Sequence, residues 1–246
     1  MIRKFLYILL LLLSGLVRGQ DYQSRIYQAY LQKQMGTWKE VMEEMDSVCR
    51  ENPDLEMLYD LIEAEYGYTA YCISVKRRKE AREVLDRAME HIRLFMGLEV
   101  DNPRIYSLQG AFFGFRFFLE PFRALQNRNH ALEANQKAID LGPNEPQAWM
   151  GKANIDFYTP AFLGGSKRRA VLLYEKAVRL YESSPERIQQ NWVYLNCLAG
   201  LGMAYEKTGQ IKGAGAVYRK LLKLEPSFLW VRDDLYPQFL EKHSMN

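Results

Sequence analysis

From Asp21 onward apolar residues recur at spacings of three and four, and segments with this period follow one another between short turns carrying Pro, Gly or Asn. The period predicts helices over 22–34, 37–51, 54–74, 77–97, 103–119, 127–141, 146–158, 166–183, 187–207, 210–224 and 228–243. No run of alternating β-branched residues interrupts them, so the expected class is all-α, built as five helical hairpins with one helix left over. Cys49, Cys72 and Cys197 each fall within a helical apolar pattern, where a free thiol behaves as a small hydrophobe. Three is an odd number for a disulfide framework; a Cys49–Cys72 bridge between neighbouring helices is the alternative to buried thiols.

The first nineteen residues follow another pattern. Met1-Ile2-Arg3-Lys4 is a short positive stretch, Phe5 to Leu13 is unbroken apolar sequence, and Val17 and Gly19 stand at −3 and −1 of a cleavage site. The apolar run ends by Val17, short of the roughly 20 residues a bilayer span needs. Residues 1–19 therefore read as a bacterial Sec-type signal peptide, with a retained anchor as the alternative, and the remainder as one exported domain, 20–246, periplasmic or secreted. Once the signal is cleaved, no membrane span is expected.

The last hairpin repeats a recognisable grammar. Within the 34 residues that start at Leu195, small residues (Gly202, Ala214) stand where two helices must cross closely. Tyr205 and Tyr218 fill the space beside that crossing, Gly209 supplies the turn, and Pro226 stops the second helix. Together with Leu198, Leu201 and Leu221 at their spacings, this window resembles the tetratricopeptide repeat. Looser copies precede it. Gly36, Trp38, Val41, Met45, Val48 and Pro53 mark one over 22–53; Gly67, Ala81, Leu85 and Ala88 mark another over 54–98. Gly110, Ala131, Ala138 and Pro143 mark a third over 103–143, and Trp149, Ala153, Ala170, Tyr174 and Ala177 a fourth, expanded copy over 144–184. The resemblance implies a right-handed superhelical solenoid of about five hairpins, stabilised by neighbour-to-neighbour burial, with 228–243 as a capping helix.

Composition narrows the chemistry. Residues 1–19 hold three of the 33 basic side chains and none of the 30 acidic ones, so the remaining chain is neutral and carries no electrostatic footprint for nucleic acid. Three histidines and three cysteines scattered along the chain do not make a metal cluster, and neither metal nor cofactor is expected. No phosphate-binding glycine loop, G-x-S-x-G elbow or H-E-x-x-H motif is present, so no catalytic residue is assigned and an enzyme is not expected. Glu63–Glu65 and Lys79–Glu83 read as solvated helix faces, and His91, His130 and His243 as surface or capping residues.

Two segments stand apart. Phe157–Ser166 lengthens the turn of the fourth hairpin: Pro160 ends one helix, Gly164 and Gly165 permit unusual backbone angles, and Ser166 is placed to cap the next helix. Its aromatics either plug an irregular repeat or form a lip over a groove. In 111–118, Phe112, Phe115, Phe118 and the later Phe122 share one helical stripe. Gly110 and Gly114 would admit a neighbouring helix, and Arg116 must find water, a carboxylate or a ligand. Core packing and an aromatic ligand pocket are both open readings there.

In the family, positions 2, 5, 9, 12 and 13 of each repeat commonly face a ligand on the concave wall. Carried to the fifth copy, the resemblance implies Asn196, Ala199, Met203, Glu206 and Lys207. In the fourth it implies Gln147, Met150, Asn154, Phe157 and Tyr158, and in the second Tyr68 and Tyr71. This surface lacks the Lys/Asn/Arg set with which chaperone-binding members clamp a peptide carboxylate. The expected function is thus a non-enzymatic scaffold that holds a peptide or partner helix in its groove. The alternative is a binder of small apolar ligands with Phe113, Phe115 and Arg116 in its pocket.

Overall fold

The computed structural model describes residues 21–51 and 54–243. The segment read as a signal peptide lies outside them. Among the described residues every regular element is helical: α1 (21–31), α2 (Met35–Glu51), α3 (Leu55–Ser74), α4 (Arg78–Leu98), α5 (Pro103–Leu119), α6 (Ala124–Leu141), α7 (Pro146–Tyr158), α8 (Lys167–Tyr181), α9 (Trp192–Lys207), α10 (Ile211–Leu224) and, after a π-turn at Trp230–Leu235, α11 (Tyr236–Lys242). Helix starts are written in the sequence. Asp54, Asn102, Glu145, Ser166 and Asn191 each accept a hydrogen bond from a first-turn backbone N–H, and Pro103 and Pro146 take first-turn positions where no amide hydrogen is needed.

The first helix ends at 31 and not 34, the sixth begins at Ala124 and not 127, and two further departures from the sequence expectation have a local reason. The ninth helix starts at Trp192 and not near residue 187, because Pro185–Arg187 forms a short 3-10 turn and Gln190 adopts φ 46° before the Asn191 cap. The last helix widens because Pro237 has no N–H and its ring excludes the carbonyl four residues back; the Tyr236 N–H reaches Val231 instead, five residues away.

Hairpins α3–α4, α5–α6, α7–α8 and α9–α10 stack so that each second helix also meets the next first helix, and α3, α5, α7 and α9 touch in succession along an inner wall. This is the architecture of a tetratricopeptide-type helical solenoid. Gly202 is small for the expected reason: a methyl group there would lie 2.4 Å from the Tyr218 ring. Cys49, Cys72 and Cys197 are all buried free thiols.

The first and last elements meet. Tyr27 Oη donates to Glu225 (2.6 Å), Lys33 pairs with Asp234 (2.6 Å), and the Tyr30 and Phe228 rings lie 4.9 Å apart. Tyr30, Trp38, Tyr66 and Trp192 gather where these ends join the inner wall.

Part of the expected solvated face is a buried ionic network. Glu65 is fully buried and accepts from Arg87 Nε (2.8 Å), with His91 Nδ1 at 2.9 Å from its other oxygen. Asp46 lies 3.4 Å from His91 Nε2 and 2.7 Å from Arg50. Burial lowers the His91 pKa, but the Glu65 hydrogen bond and the charges of Glu65 and Asp46 outweigh it and raise the pKa above the usual range. Glu65 and His91 therefore tie α2, α3 and α4 together, and the reading of both as surface residues is corrected. One glutamate inside an apolar stripe reads as solvated until a packed cation shows otherwise.

Candidate functional site

The inner faces of the first helices surround an open cavity of about 340 Å³. Each helix supplies one stripe at the spacing that keeps side chains on a single face: Tyr66, Ala70 and Ile73 from α3; Asn154 and Tyr158 from α7; Asn196, Gly200 and Met203 from α9. From α5 come Gly114, Phe115 and Phe118, and α6 closes the wall with Arg128 and Ala131.

Aromatic rings set the shape. Phe115 stacks on Tyr66 at 5.4 Å, and Phe118 meets Tyr158 edge-on at 6.1 Å. The Tyr174 hydroxyl donates to the side-chain oxygen of Asn154, which fixes the amide. Burial raises the pKa of the Tyr66, Tyr158 and Tyr174 hydroxyls, so all three remain neutral donors. Arg128 forms no ion pair among the described residues, and its Nε is buried without a hydrogen-bond partner. The cavity is thus aromatic, with two asparagine amides and a single guanidinium at its wall. Such a lining suits a bulky apolar group that carries a hydrogen-bonding or acidic substituent.

The extended turn of the fourth hairpin forms a fixed lip beside it. Gly164 adopts φ 90°, and a methyl group on Gly165 would fall 2.0 Å from the Thr159 carbonyl oxygen, so the first glycine answers a conformation and the second a close approach. Ser166 Oγ accepts from the Arg169 N–H at 3.2 Å, and Arg169 grips Asp156 through two bonds of 2.8 and 2.6 Å. Phe157 is buried as a plug under the Lys167 ammonium, Tyr158 faces the cavity, and Phe162 stands 87% exposed. The plug reading fits Phe157, and of this segment Tyr158 and Thr159 border the cavity.

Of the positions implied by the family, Asn154, Tyr158, Asn196 and Met203 come together in this cavity. Met150, Phe157 and Ala199 are buried in the core. Gln147 lines a different cavity. Glu206 is held by Lys242 at 2.6 Å, and Lys207 is exposed. Tyr68 is buried and donates to Glu80, while Tyr71 packs beside Arg77. The second copy is about two residues longer than the pattern, so its inward register falls on Tyr66, Ala70 and Ile73 and not on Tyr68 and Tyr71. Of the alternative pocket only Phe115 lines the cavity; Phe113 lies against the His130 ring at 5.2 Å, and Arg116 pairs with Asp86 at 3.2 Å. Sequence reasoning missed Arg128 and the role of Gly114. Gly110 meets α6, but a methyl group on Gly114 would touch nothing within 4 Å, because that glycine borders open space.

The profile of the tetratricopeptide repeat matches residues 195–228. No curated protein matches the chain by sequence. Among solved structures the chain is similar to TTC0263, a thermophilic tetratricopeptide-repeat protein of Thermus thermophilus, at 18% identity over 91% of this chain and 99% of that one, with a TM-score of 0.62. It is also similar to the HusA haemophore of Porphyromonas gingivalis, at 19% identity over 77% of this chain and 94% of that one, with a TM-score of 0.60. The chain thus carries a tetratricopeptide repeat at 195–228 and has the fold of a tetratricopeptide-type helical solenoid.

Proposed function

We propose that this is a non-enzymatic interaction protein that seats a bulky apolar anchor of a protein partner in the cavity between α3, α5, α7 and α9. The fold is that of interaction scaffolds, and the cavity carries the reading: stacked aromatics, two amides and the unpaired Arg128 converge on one open space. An extended peptide lying along the whole inner wall is less well supported, since Trp38, Tyr66 and Trp192 already occupy part of it. Gly114→Leu tests the proposal, because it fills open space without touching a neighbour. It should abolish capture of a partner reconstituted from purified components while leaving the unfolding temperature unchanged or slightly higher. The combined Asn154, Tyr158 and Met203 alanine variant should lose capture as well. Undiminished capture by both variants would overturn the assignment.

A free apolar ligand is the second reading. Its support is the volume, about 340 Å³, which falls in the ordinary range for small-molecule sites, and the fold shared with a haemophore. Titration with a planar porphyrin and with a linear fatty acid, each against Gly114→Leu, separates the readings: saturable binding lost in the variant favours the ligand. We further propose that residues 1–19 direct export. N-terminal sequencing of the mature protein should then begin at or near Gln20, and a retained Met1 would refute cleavage.

A further inference from the structure

The hairpin turns that follow α3, α5 and α7 form one edge of the molecule. Residues at the ends of these helices, Ile73 and Ser74, Phe117 and Phe118, Tyr158 and Thr159, rim the aromatic cavity together. Arg82 Nη2 donates to the Leu119 carbonyl oxygen (2.8 Å), and a methyl group on Gly164 would lie 3.2 Å from Arg128 Nη2, so the three turns are neighbours. Two of them contain short 3-10 turns, Pro121–Arg123 and Ala161–Leu163, each with a phenylalanine at its centre. Phe122 is fully exposed and Phe162 nearly so, and Val75 and Leu125 are exposed on the same edge. Phenylalanines held out in water by tight turns contribute nothing to the core and mark a contact surface.

The charge of this edge is positive. Lys76, Arg78, Arg123 and Arg168 are exposed, and among the described residues none of them forms an ion pair. The acids beside them are already matched: Glu80 by Lys39 (2.9 Å) and Arg77 (3.6 Å), Glu83 by Lys79 (3.9 Å), Glu120 by Arg116 (3.7 Å) and Asp156 by Arg169 (2.6 Å). α4 opens with Arg78-Lys79 and α8 with Lys167-Arg168-Arg169, although a helix dipole favours acids at its start. These cations therefore oppose the helices that carry them. The balancing charge lies at the opposite end, in the α4–α5, α6–α7 and α8–α9 connectors, which hold Glu99, Asp101, Glu145, Glu182 and Glu186 against Arg187 alone. The neutral chain is thus polarised, with free cations on the edge that shows the phenylalanines.

We propose that this edge docks on an anionic lipid bilayer, with Phe122 and Phe162 entering the interface and Lys76, Arg78, Arg123 and Arg168 over the headgroups. Cations alone would suit any polyanion, and exposed rings alone any apolar surface. A bilayer with anionic headgroups answers both, since apolar side chains enter its headgroup boundary while cations meet its surface charge. No helix among the described residues is long and apolar enough to cross a membrane, so the contact is peripheral. Its test does not depend on what the aromatic cavity holds.

The experiment is co-sedimentation of the mature protein with vesicles of phosphatidylcholine alone, and of phosphatidylcholine and phosphatidylglycerol in equal parts, at low and high salt. Saturable binding to the anionic vesicles is expected, with little to the neutral ones and a loss at high salt. Phe122→Ser/Phe162→Ser and Arg123→Gln/Arg168→Gln should each weaken it by about tenfold or more, the scale of two interfacial side chains. Both variants change exposed side chains only and should keep the parent's unfolding temperature. Leu98→Ser/Val100→Ser, which alters exposed residues at the acidic end, and Gly114→Leu should leave binding unchanged. Absence of binding to anionic vesicles, equal binding to neutral ones, or undiminished binding by either edge variant would overturn the proposal. A matching loss in either control would do the same, as would tight heparin binding without vesicle binding, which would mark a polyanion site instead.

Discussion

Burial, with the charge of Glu63 adding to it, holds the Asp60 carboxyl up at about 7. An acid whose folded pKa exceeds its unfolded one binds its proton more tightly in the native state. Its contribution to stability is therefore fully present below about pH 4 and is lost as the pH rises to about 7. Burial raises Glu63 and Glu145 in the same direction, so the comparison that isolates Asp60 is with Asp60→Asn, which keeps the shape and cannot ionise. Between pH 5 and pH 8 the unfolding temperature of the parent should fall by roughly 2–4 °C more than that of the variant, the effect of about 1 kcal/mol in a chain of this size after screening by solvent in the cavity it lines with Gln147. Equal slopes in thermal melts would show that Asp60 is ionised throughout. The same burial is invisible in the sequence, where the neighbouring Glu63 reads as part of a solvated helix face.

The lip of the fourth hairpin and the face of α5 make opposite use of glycine. At Gly165 a methyl group would meet the Thr159 carbonyl oxygen, a backbone atom that cannot swing aside. Gly165→Ala should therefore cost about 2 kcal/mol in denaturant unfolding and raise hydrogen exchange over 157–166. Gly114→Ala faces open space within a helix and should stabilise by about 0.5–1 kcal/mol. Similar effects of the two substitutions would contradict the assigned geometry. Capping and turn chemistry were legible at this scale: Ser166, Pro103 and Pro146 announce helix starts by types whose preference is local. The π-turn before Pro237 was partly legible, since the proline was visible but not the wider turn that absorbs it.

Across the whole molecule, α1 is fastened to the last elements through Tyr27–Glu225, Lys33–Asp234 and the Tyr30–Phe228 ring pair. An open repeat array frays from its ends, because a terminal hairpin has one neighbour only. Here the two ends are neighbours. Phe228→Ala, which empties a fully buried site, should increase amide exchange in residues 21–31 as much as in α10 and α11, although nearly the whole chain separates them. Exchange confined to the C-terminal elements would mean that the junction adds no cooperativity.

The residue order by itself determined what depends on near neighbours: helix positions from the three-to-four period, caps and breaks from Asn, Ser, Pro and Gly, and the repeat at 195–228 from small and large residues at fixed spacing. It also selected Asn154, Tyr158, Asn196 and Met203, because a regular repeat fixes which face of a helix turns inward. Tertiary packing alone decided the rest. The longer second copy moved the inward stripe to Tyr66, the junction of the ends filled part of the wall with Trp38 and Trp192, and Arg128 and Glu65 gained their surroundings from helices far away in the chain. The strength of a charge or hydroxyl is set by what lies across the cavity from it, and distance along the chain carries no record of that.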